Sequence, residues 1–381
     1  MKVHSIEIDL IFPPPFRSPV ADSTLGPFSE FPAGLLKIMC GGIIGYGLIP
    51  VSQSAINLGH EVFFPLLWEA AIEGPESVEH YWDLARGRIR NLGSGLTHFV
   101  LNGIDTALWD IVSKKAGKPL FRMLGSERLR VCCYGMSGWV NYDLRTLIAA
   151  LEESVARGFQ TVKMKVGIGG GNDIEEDVLR VKAVRKALGP KIEIAVDANQ
   201  CWTVEKALHF ARSAAEQRIA WLEEPLSAHD YQGYSRLAAE SPIPIAAGES
   251  LTDEFEFRTL LNFHGASLVQ PAPCVAGGIT GYQRAARVAS EFGIDVASGG
   301  FSHLTCSLVA AAPTGKLTEY AIPFNDSIAP LWQEPPQIRN GEFHLVETPG
   351  HGLIPDAGFV RKFSRSSIKI PPAISTSLHA F

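Results

Sequence analysis

The chain has 381 residues and a formal net charge of −6, with 46% hydrophobic and 19% charged residues. These values are typical of a globular protein, and they exclude the basic surface stripe on which nucleic-acid binding depends. The length suits one large α/β barrel with an added domain, or two to three ordinary domains.

Six cysteines show neither CxxC spacing nor a cysteine and histidine pattern typical of zinc. In a chain of this length they indicate reduced, mostly buried thiols, which favours a cytoplasmic location. The sequence begins without the pattern of a signal peptide, and no apolar run approaches the roughly 18 residues of a membrane span. We therefore expect no membrane association.

Residues 1–125 predict an α+β domain. Strand patterns cover 3–12 and 33–50, and the second contains a hairpin turn at Gly41-Gly42. Residues 12–32 between them are rich in Pro, Ser and Gly and form a long loop, which makes them a candidate lid. Apolar residues at steps of three and four then predict helices at 60–74, 76–91 and 96–117.

Residues 126–334 predict a barrel, because eight apolar runs alternate there with amphipathic stretches. A closed parallel barrel fits this alternation, and a doubly wound sheet is the alternative. The part after about residue 335 contains the strand-like run EFHLVE. Residues 364–381 lack clear periodicity, which indicates a loose tail or a subunit contact.

Three acidic residues, Asp197, Glu223 and Glu249, lie 26 residues apart and then 26 again, each at the end of an apolar run. One strand and one helix take about this length, so the spacing predicts three carboxylates at one end of a barrel. Carboxylate-only ligation favours Mg²⁺, with Mn²⁺ second. Three unrelated acids at strand ends are the alternative.

Two lysines, Lys163 and Lys165, lie two residues apart on the predicted second barrel strand, so their side chains share one face. Burial and mutual repulsion should lower the pKa of a lysine from about 10.4 toward 7, at about 4 to 5 kcal/mol. Such a lysine is a general base at neutral pH. Two solvated surface lysines are the alternative.

These residues together indicate a reaction class. A metal that neutralises a substrate carboxylate makes the adjacent carbon acidic, and a poised lysine then removes its proton. The sequence therefore predicts proton abstraction next to a carboxylate.

The chain also resembles the enolase superfamily, and within it the mandelate racemase group, over nearly all of its length. The resemblance rests on motifs in the family order: GIIGYG, GIDTALWDIVSKKAGKPLFRMLG, KMK, VDAN, WLEEPL, AGES, QP followed by GGIT, and PGHGLIPD. It implies a modified TIM barrel of the (β/α)7β kind at 126–334. It also implies an α+β capping domain formed by residues 1–125 and completed by a C-terminal segment of about 335–381.

The resemblance further implies roles for individual residues. Asp197, Glu223 and Glu249 would bind Mg²⁺, Lys165 would be the base, and Lys163 would contact the substrate carboxylate. Glu319 matches the acid that hydrogen-bonds the developing enediolate, and Asn199 would face the metal or the substrate, or else shape a turn. A homo-oligomer, from dimer to octamer, is also expected.

The family pattern breaks at two positions. Ala272 stands where an Asp orients the second base of the mandelate racemase group, and Gly299 stands where its His belongs. The muconate lactonizing group would place a Lys at the position of Ala272, so that base is missing too. Without an opposite-face base, syn elimination of water from a hydroxy acid fits better than racemisation.

Several residues are candidates for roles around the substrate. His303 and Cys274 could replace the missing base, although a structural histidine and an inert buried thiol are the alternatives, and Tyr134 could donate a proton from across the barrel. Phe16, Arg17 and Ser18 fall where the family places specificity residues, and Arg17 could bind a distal carboxylate or stay solvated.

Three functions follow from these observations. The first is an Mg²⁺-dependent dehydratase acting on a carboxylate substrate such as an acid sugar. The second is a racemase, epimerase or cycloisomerase with an unusual second acid. The third is a degenerate metal-binding member of the family, which the retained lysines and acids disfavour.

Overall fold

The strands follow the apolar runs of the sequence. In the computed structural model, which describes residues 1–50 and 53–372, the chain forms fourteen strands: β1 (Val3–Ile11), β2 (Ala33–Cys40), β3 (Ile43–Pro50), β4 (Arg130–Gly138), β5 (Thr161–Lys165), β6 (Glu193–Asp197), β7 (Ile219–Glu223), β8 (Ile245–Ala247), β9 (Leu268–Val269), β10 (Asp295–Ser298), β11 (Gly315–Ala321), β12 (Gln337–Arg339), β13 (Glu342–His344) and β14 (Ser364–Ile370).

The helices include all three segments predicted between residues 60 and 117. In chain order the described helices are α1 (Gln53–Leu58), a π-helix (Gly59–Phe63), α2 (Phe64–Glu69), α3 (Pro75–Ile89), α4 (Leu96–Lys115), α5 (Leu120–Met123), α6 (Leu144–Ala156), α7 (Ile168–Gly171), α8 (Ile174–Leu188), α9 (Val204–Ser213), a 3-10 turn (Ala215–Gln217), α10 (Tyr231–Glu240), α11 (Glu254–Asn262), α12 (Pro273–Ala276), α13 (Ile279–Glu291), α14 (Ser302–Ala311), α15 (Ile322–Ile328), a 3-10 turn (Ala329–Leu331) and α16 (Ala357–Phe363). Among these helices, none has the length and apolar character needed to cross a membrane.

The small sheet has the antiparallel order β14-β1-β2-β3. The predicted hairpin turn is confirmed, because Gly41 and Gly42 both take positive φ, at 56° and 81°. The prediction of a loose tail is wrong for residues 364–370, which pair with β1 as an edge strand. Most side chains of this strand face solvent, so its apolar alternation is weak. Residues 373–381 of the predicted tail lie outside the described residues.

The large sheet is a closed barrel. Strands β4 to β11 lie in consecutive order, and β11 pairs in parallel with β4 to complete the circle. This closure confirms the (β/α)7β barrel and excludes the doubly wound alternative. The antiparallel hairpin of β12 and β13 extends the sheet beside β4. The C-terminal segment therefore divides between the barrel sheet and the small sheet, and the domain limits stay a prediction.

Below the carboxyl ends of its strands, the barrel interior is filled by two large rings. Tyr134 on β4 and Trp221 on β7 meet edge to face, with ring centroids 5.2 Å apart. The neighbouring inward positions of other strands carry smaller side chains, which leaves room for the rings: Ala195, Ala246, Leu268 and Ala297. The site therefore has a solid floor.

The long loop of residues 12–32 is confirmed, and it folds as an ordered segment. Its backbone closes on itself through Phe16 N to Ser29 O at 2.7 Å and through a bridge between Val20 and Phe28. Phe16 and Val20 are buried against Met136 and Trp139 of the barrel. The loop thus lies beside the carboxyl ends of the barrel strands.

The small sheet packs on α4 at unusually close range. A Cβ atom at Gly47 would lie 2.0 Å from Gly103 O, and one at Gly45 would lie 2.1 Å from Ala107 O. Since backbone atoms cannot move aside as a side chain can, both positions of the GIIGYG motif require glycine. The motif thereby positions α4 and the sheet relative to each other.

We expect Gly47→Ala to lower the free energy of unfolding by about 1 to 3 kcal/mol, because the added methyl forces β3 away from α4. The control is Gly87→Ala on the exposed face of α3, where a Cβ meets nothing within 4 Å. That change should stabilise the protein by about 0.5 to 1 kcal/mol. Chemical denaturation of both variants measures the difference, and equal midpoints would contradict the close-packing account.

Candidate active site

The three evenly spaced acids come together at the carboxyl ends of the barrel strands. Carboxylate oxygens of Asp197, Glu223 and Glu249 all lie within 4.8 Å of one another. In the parallel register Lys165 stands beside Asp197, and Asp197 stands beside Glu223. Glu249 lies in the turn after β8, three residues beyond Ala246, which stands beside Glu223. The equal spacing along the chain thus brings all three acids to the same end of the barrel.

The turns after the strands hold two of these acids in place. Asn199 has φ 43°, which asparagine tolerates, and its backbone N–H donates to Asp197 Oδ1 at 2.9 Å. Its side-chain amide donates to Glu249 Oε1 at 3.3 Å. Asn199 thus shapes the turn and also bridges two acids of the cluster, and its role toward a metal or substrate stays a prediction.

The two lysines form ion pairs with the same acids. Lys163 Nζ lies 2.5 Å from Glu223 Oε1 and 2.9 Å from Glu319 Oε1. Lys165 Nζ donates to Asp197 Oδ2. Both lysines are buried, whereas solvated strand-end lysines would be exposed.

The carboxylates around the two lysines reverse the predicted lowering of the lysine pKa values. Burial disfavours each ammonium, but the carboxylates around it outweigh burial and raise the pKa values of Lys163 and Lys165 above their usual range. The lysine–lysine repulsion on which the prediction rested is smaller than these attractions. The acids therefore act as counter-ions to the lysines.

The charges of the cluster suit a divalent cation. Two ammonium groups face four carboxylates, those of Asp197, Glu223, Glu249 and Glu319, so ionised side chains leave two negative charges unbalanced. Burial raises the pKa of Glu223 to about 7; Lys163 opposes this rise, and Asp197 and Glu319 add to it. Burial also raises the pKa of Glu249. The carboxylate-only donor set fits Mg²⁺.

Glu319 occupies the space next to the missing histidine position. A Cβ atom at Gly299 would lie only 2.2 Å from Glu319 Oε2. Any side chain at position 299 would therefore displace the carboxylate that pairs with Lys163. The present position of the Glu319 carboxylate therefore depends on the absence of a side chain at position 299.

A cavity of about 290 Å³ opens on this cluster. Lys165, Asn199, Glu249 and Glu319 line it on the barrel side. The loop of residues 12–32 and the segment after β11 line it on the other side. A small carboxylate would fit between a possible metal site, a lysine and this loop.

Comparisons with known proteins agree with this geometry. Residues 146–358 match the family model described as enolase C-terminal domain-like, which is more than half of the chain. The chain belongs to the enolase superfamily. It is 32% identical to an arabinonate dehydratase of Saccharolobus solfataricus over 82% of this chain and 84% of the relative.

Two further relatives place this enolase superfamily chain near enzymes of two reaction types. A 3,6-anhydro-alpha-L-galactonate cycloisomerase of Streptomyces coelicolor is 32% identical over 74% of this chain and 76% of the relative. The crystal structure of an L-talarate dehydratase from Polaromonas sp. JS666, complexed with Mg and L-glucarate, superposes with a TM-score of 0.85. It is 29% identical and covers 97% of this chain and 99% of its own. The barrel and cap are those of the mandelate racemase and muconate lactonizing enzyme-like members.

The structure places Arg17 away from the cavity of this enolase superfamily chain. Its side chain is 94% exposed and lies 3.7 Å from Glu153 Oε1, so the solvated alternative is correct. The neighbouring Phe16 points into the protein and contacts Phe324, with ring centroids 5.0 Å apart. Loop residues further along line the cavity instead, among them Asp22, Leu25, Phe28 and Phe31.

Tyr134 and His303 do not line the cavity either. Tyr134 is fully buried in the floor of the barrel, and burial raises its pKa. His303 on α14 packs against Tyr320 and Phe343, with ring centroids 5.9 and 6.0 Å apart. Burial lowers the pKa of His303 to about 4, so it is neutral near pH 7. His303 thus has the surroundings of a structural histidine, and Tyr134 lies below the site.

Cys274 lies in the cavity wall. It follows β9, the sixth strand of the barrel, and thus lies across the barrel from Lys165 on the second. Burial raises the pKa of the Cys274 thiol to about 11, so it keeps its proton at neutral pH. It is a potential proton donor but a poor base.

Three residues that support the acids had no predicted role. Gln270 Nε2 donates to Glu223 Oε2 at 2.7 Å, and Trp221 Nε1 donates to the same oxygen at 3.1 Å. Glu224 accepts hydrogen bonds from Ser250 N and Oγ at 3.1 and 2.8 Å, which holds the turn that presents Glu249. Trp221 and Glu224 lie in the WLEEPL motif and Gln270 lies in the QP motif, both of which carry the family resemblance. The sequence holds no other indication of their roles.

We expect one Mg²⁺ to bind per chain, and Asp197→Asn or Glu249→Gln to weaken binding at least about tenfold through loss of an anionic ligand. The control is Glu193→Gln, at the other end of the strand that carries Asp197. Calorimetric titration measures each affinity. Equal affinities in all four proteins would contradict the metal site.

Proposed function

We propose that this protein is an Mg²⁺-dependent dehydratase that removes the proton next to a substrate carboxylate and then eliminates water from a hydroxy acid. The observation that carries the proposal is Lys165, which lines the cavity beside the three-acid cluster. The dehydratases among the relatives support an acid sugar as the substrate. Mandelate racemase-like relatives share the fold, so the fold alone does not choose the reaction.

The acids and the lysines of the site have separate roles in this reaction. Asp197, Glu223 and Glu249 would hold Mg²⁺, which supplies positive charge for the substrate carboxylate and for the enediolate. Lys165 serves as a base in its neutral form, which requires that its ion-pair partner Asp197 be neutralised. Lys163 presents a second positive charge, held in place by Glu319.

The elimination uses Lys165 twice. Its neutral amine takes the proton from the α-carbon, and the resulting ammonium returns that proton to the hydroxyl that leaves the β-carbon. Water departs, and the enol that is left tautomerises to a 2-keto acid. Both transfers occur on one face, which agrees with a protein that has Gly299 and Ala272 at the positions of the opposite-face dyad.

An isomerase is the second candidate. It is favoured by Cys274, which could donate a proton from the opposite side of the barrel, and by the cycloisomerase among the relatives. Incubation with Mg²⁺ and a panel of 2,3-dihydroxy acids, with both sugar and apolar tails, in D₂O separates the candidates. A 2-keto acid product supports the dehydratase, and deuterium at the α-carbon with rearranged or epimerised product supports the isomerase. No exchange with any acid would support a degenerate metal-binding protein.

Two further expectations from the sequence stay proposals. We propose a cytoplasmic location, which the six unpaired cysteines favour. We also propose a homo-oligomer, which sedimentation of the full chain would measure.

Lys165→Ala should abolish exchange of the α-proton, by at least about a thousandfold, because no base is left on that face. Binding of Mg²⁺ should persist, since all three acids are retained. The exchange is measured by NMR in D₂O and the metal affinity by calorimetry. Exchange at the wild-type rate would refute the assignment of Lys165 as the base.

Gly299→Ala should lower turnover about tenfold, because the new methyl displaces the Glu319 carboxylate. The double variant Gly299→Ala with Glu319→Gln should be little worse than Glu319→Gln alone, since both changes act through one carboxylate. Steady-state kinetics of the three variants test this coupling. Fully additive losses would show that position 299 acts independently of Glu319.

A further inference from the structure

We propose that the substrate carries an apolar, ring-sized group at the end remote from its carboxylate. The proposal rests on the proposed function and narrows its substrate class. The head of the molecule stays that of an acid sugar, with a carboxylate and hydroxyls on the next two carbons. The tail differs from that of an acid sugar, because the side of the cavity remote from the acid cluster is hydrophobic.

Five aromatic residues form this far side, and we call them the aromatic wall: Phe28, Phe31, Trp139, Phe301 and Phe324. Phe324 is the centre of the wall. Its ring centroid lies 5.8 Å from Phe28, 5.2 Å from Phe31 and 5.8 Å from Trp139. Phe31 also meets Phe301 at 6.2 Å. The wall combines rings from the loop, from β4 and from the end of the barrel.

Aliphatic side chains complete the surroundings of the aromatic wall. They come from the loop, the small sheet and the barrel: Leu25, Pro50, Met136, Ala321 and Ile328. Aryl groups bind such surfaces by edge-to-face contact and by burial of apolar area.

The polar residues on this side are few, and most of their hydrogen-bonding atoms are bound within the chain. Asp22 Oδ1 accepts hydrogen bonds from Thr24 N at 2.7 Å and Leu25 N at 2.6 Å, which leaves its second oxygen as an acceptor. Asn325 accepts from Ser302 N at 3.0 Å and donates to Ala321 O at 3.1 Å. A tail with several hydroxyls would therefore lose more hydrogen bonds to water than it gains here, and this is unfavourable.

No cation on the far side is placed to bind a second carboxylate. Among the described residues that line the cavity, Lys165 is the one basic side chain, and it belongs to the acid cluster. Arg17 of the loop is exposed and lies near Glu153. Diacids are therefore disfavoured as well as polyhydroxylated acids.

Two buried polar atoms without partners lie where the aromatic wall meets the head of the substrate, since the centroid of the Trp139 ring is 6.0 Å from Lys165 Nζ. They are Trp139 Nε1 and Asn199 Oδ1, and both residues line the cavity. One donor and one acceptor suit the carboxylate and the hydroxyls of the head. They are too few for the row of hydroxyls in a sugar tail. We therefore expect a 2,3-dihydroxy acid with an aryl or branched alkyl tail, which loses water to give the corresponding 2-keto acid.

Binding to Lys165→Ala in Mg²⁺ tests this inference without turnover. Calorimetry compares all stereoisomers of 2,3-dihydroxy-4-phenylbutanoate with arabinonate and the other pentonates, since these acids share the head. The best phenyl isomer should bind at least about tenfold tighter, because the ring replaces water on the aromatic wall. Equal or weaker binding, or no binding of the phenyl acid, would overturn the inference.

Phe31→Asn tests the wall itself, in the same Lys165→Ala background. Phe31 is a partly exposed loop residue, so the change should not unfold the protein, and it should remove most of the preference for the phenyl acid. The control is Phe263→Asn, since Phe263 is 39% exposed and lies outside the cavity. An unchanged preference in Phe31→Asn would count against the aromatic wall.

Turnover by the wild-type chain separates this inference from the proposed function. If the phenyl acid binds tighter but yields no keto acid, the dehydratase proposal fails and the substrate inference stands. If arabinonate is dehydrated faster than the phenyl acid, the dehydratase stands and the substrate inference fails.

Discussion

The ion pairs at the centre of the barrel are the constraint on which the rest of the site depends. Lys163 and Lys165 are buried beside four carboxylates, and neither set of charges would be stable there without the other. The cluster also explains why Asp197 and Glu223 stand side by side in the barrel, since each pairs with a lysine. Removing one partner leaves an unpaired buried charge, so the geometry is strongly held.

The absence of a side chain at Gly299, opposite Lys165, also affects this cluster. Glu319 reaches Lys163 through the space that a side chain at position 299 would occupy. A histidine there would push the flexible end of the Glu319 side chain out of its present contact with Lys163. The one-sided chemistry itself follows from the absence of dyad side chains at Gly299 and Ala272. Cys274 adds a thiol on the other side, and its raised pKa keeps it protonated near neutral pH, so it is not available there as a base.

Local patterns were enough to predict the fold and the placement of the acids. Strand-length apolar runs predicted all eight barrel strands, and the repeat of 26 residues predicted that Asp197, Glu223 and Glu249 would meet. The direction of the lysine pKa values was not predictable in this way, because it depends on distances to carboxylates on other strands.

The residues that surround the substrate could not be predicted from the sequence either. Arg17 and His303 were chosen by residue type and position along the chain, but side-chain direction in a folded loop or helix decides whether such residues face a cavity. Phe31 and Phe324 are far apart in sequence and become neighbours only through the loop that lies beside the barrel strands. Their long-range contact creates the aromatic wall, which no local sequence pattern predicts.

The most direct test of the central claim is the configuration of the α-carbon in substrate recovered from D₂O. An enantiopure hydroxy acid that the enzyme dehydrates is incubated with the wild-type chain and Mg²⁺, and unreacted acid is analysed by NMR and chiral separation. One-sided chemistry at Lys165 predicts that any deuterium enters with retention of configuration and that no epimer forms. An epimer that appears as fast as deuterium would contradict the account, because it requires proton transfer on both faces.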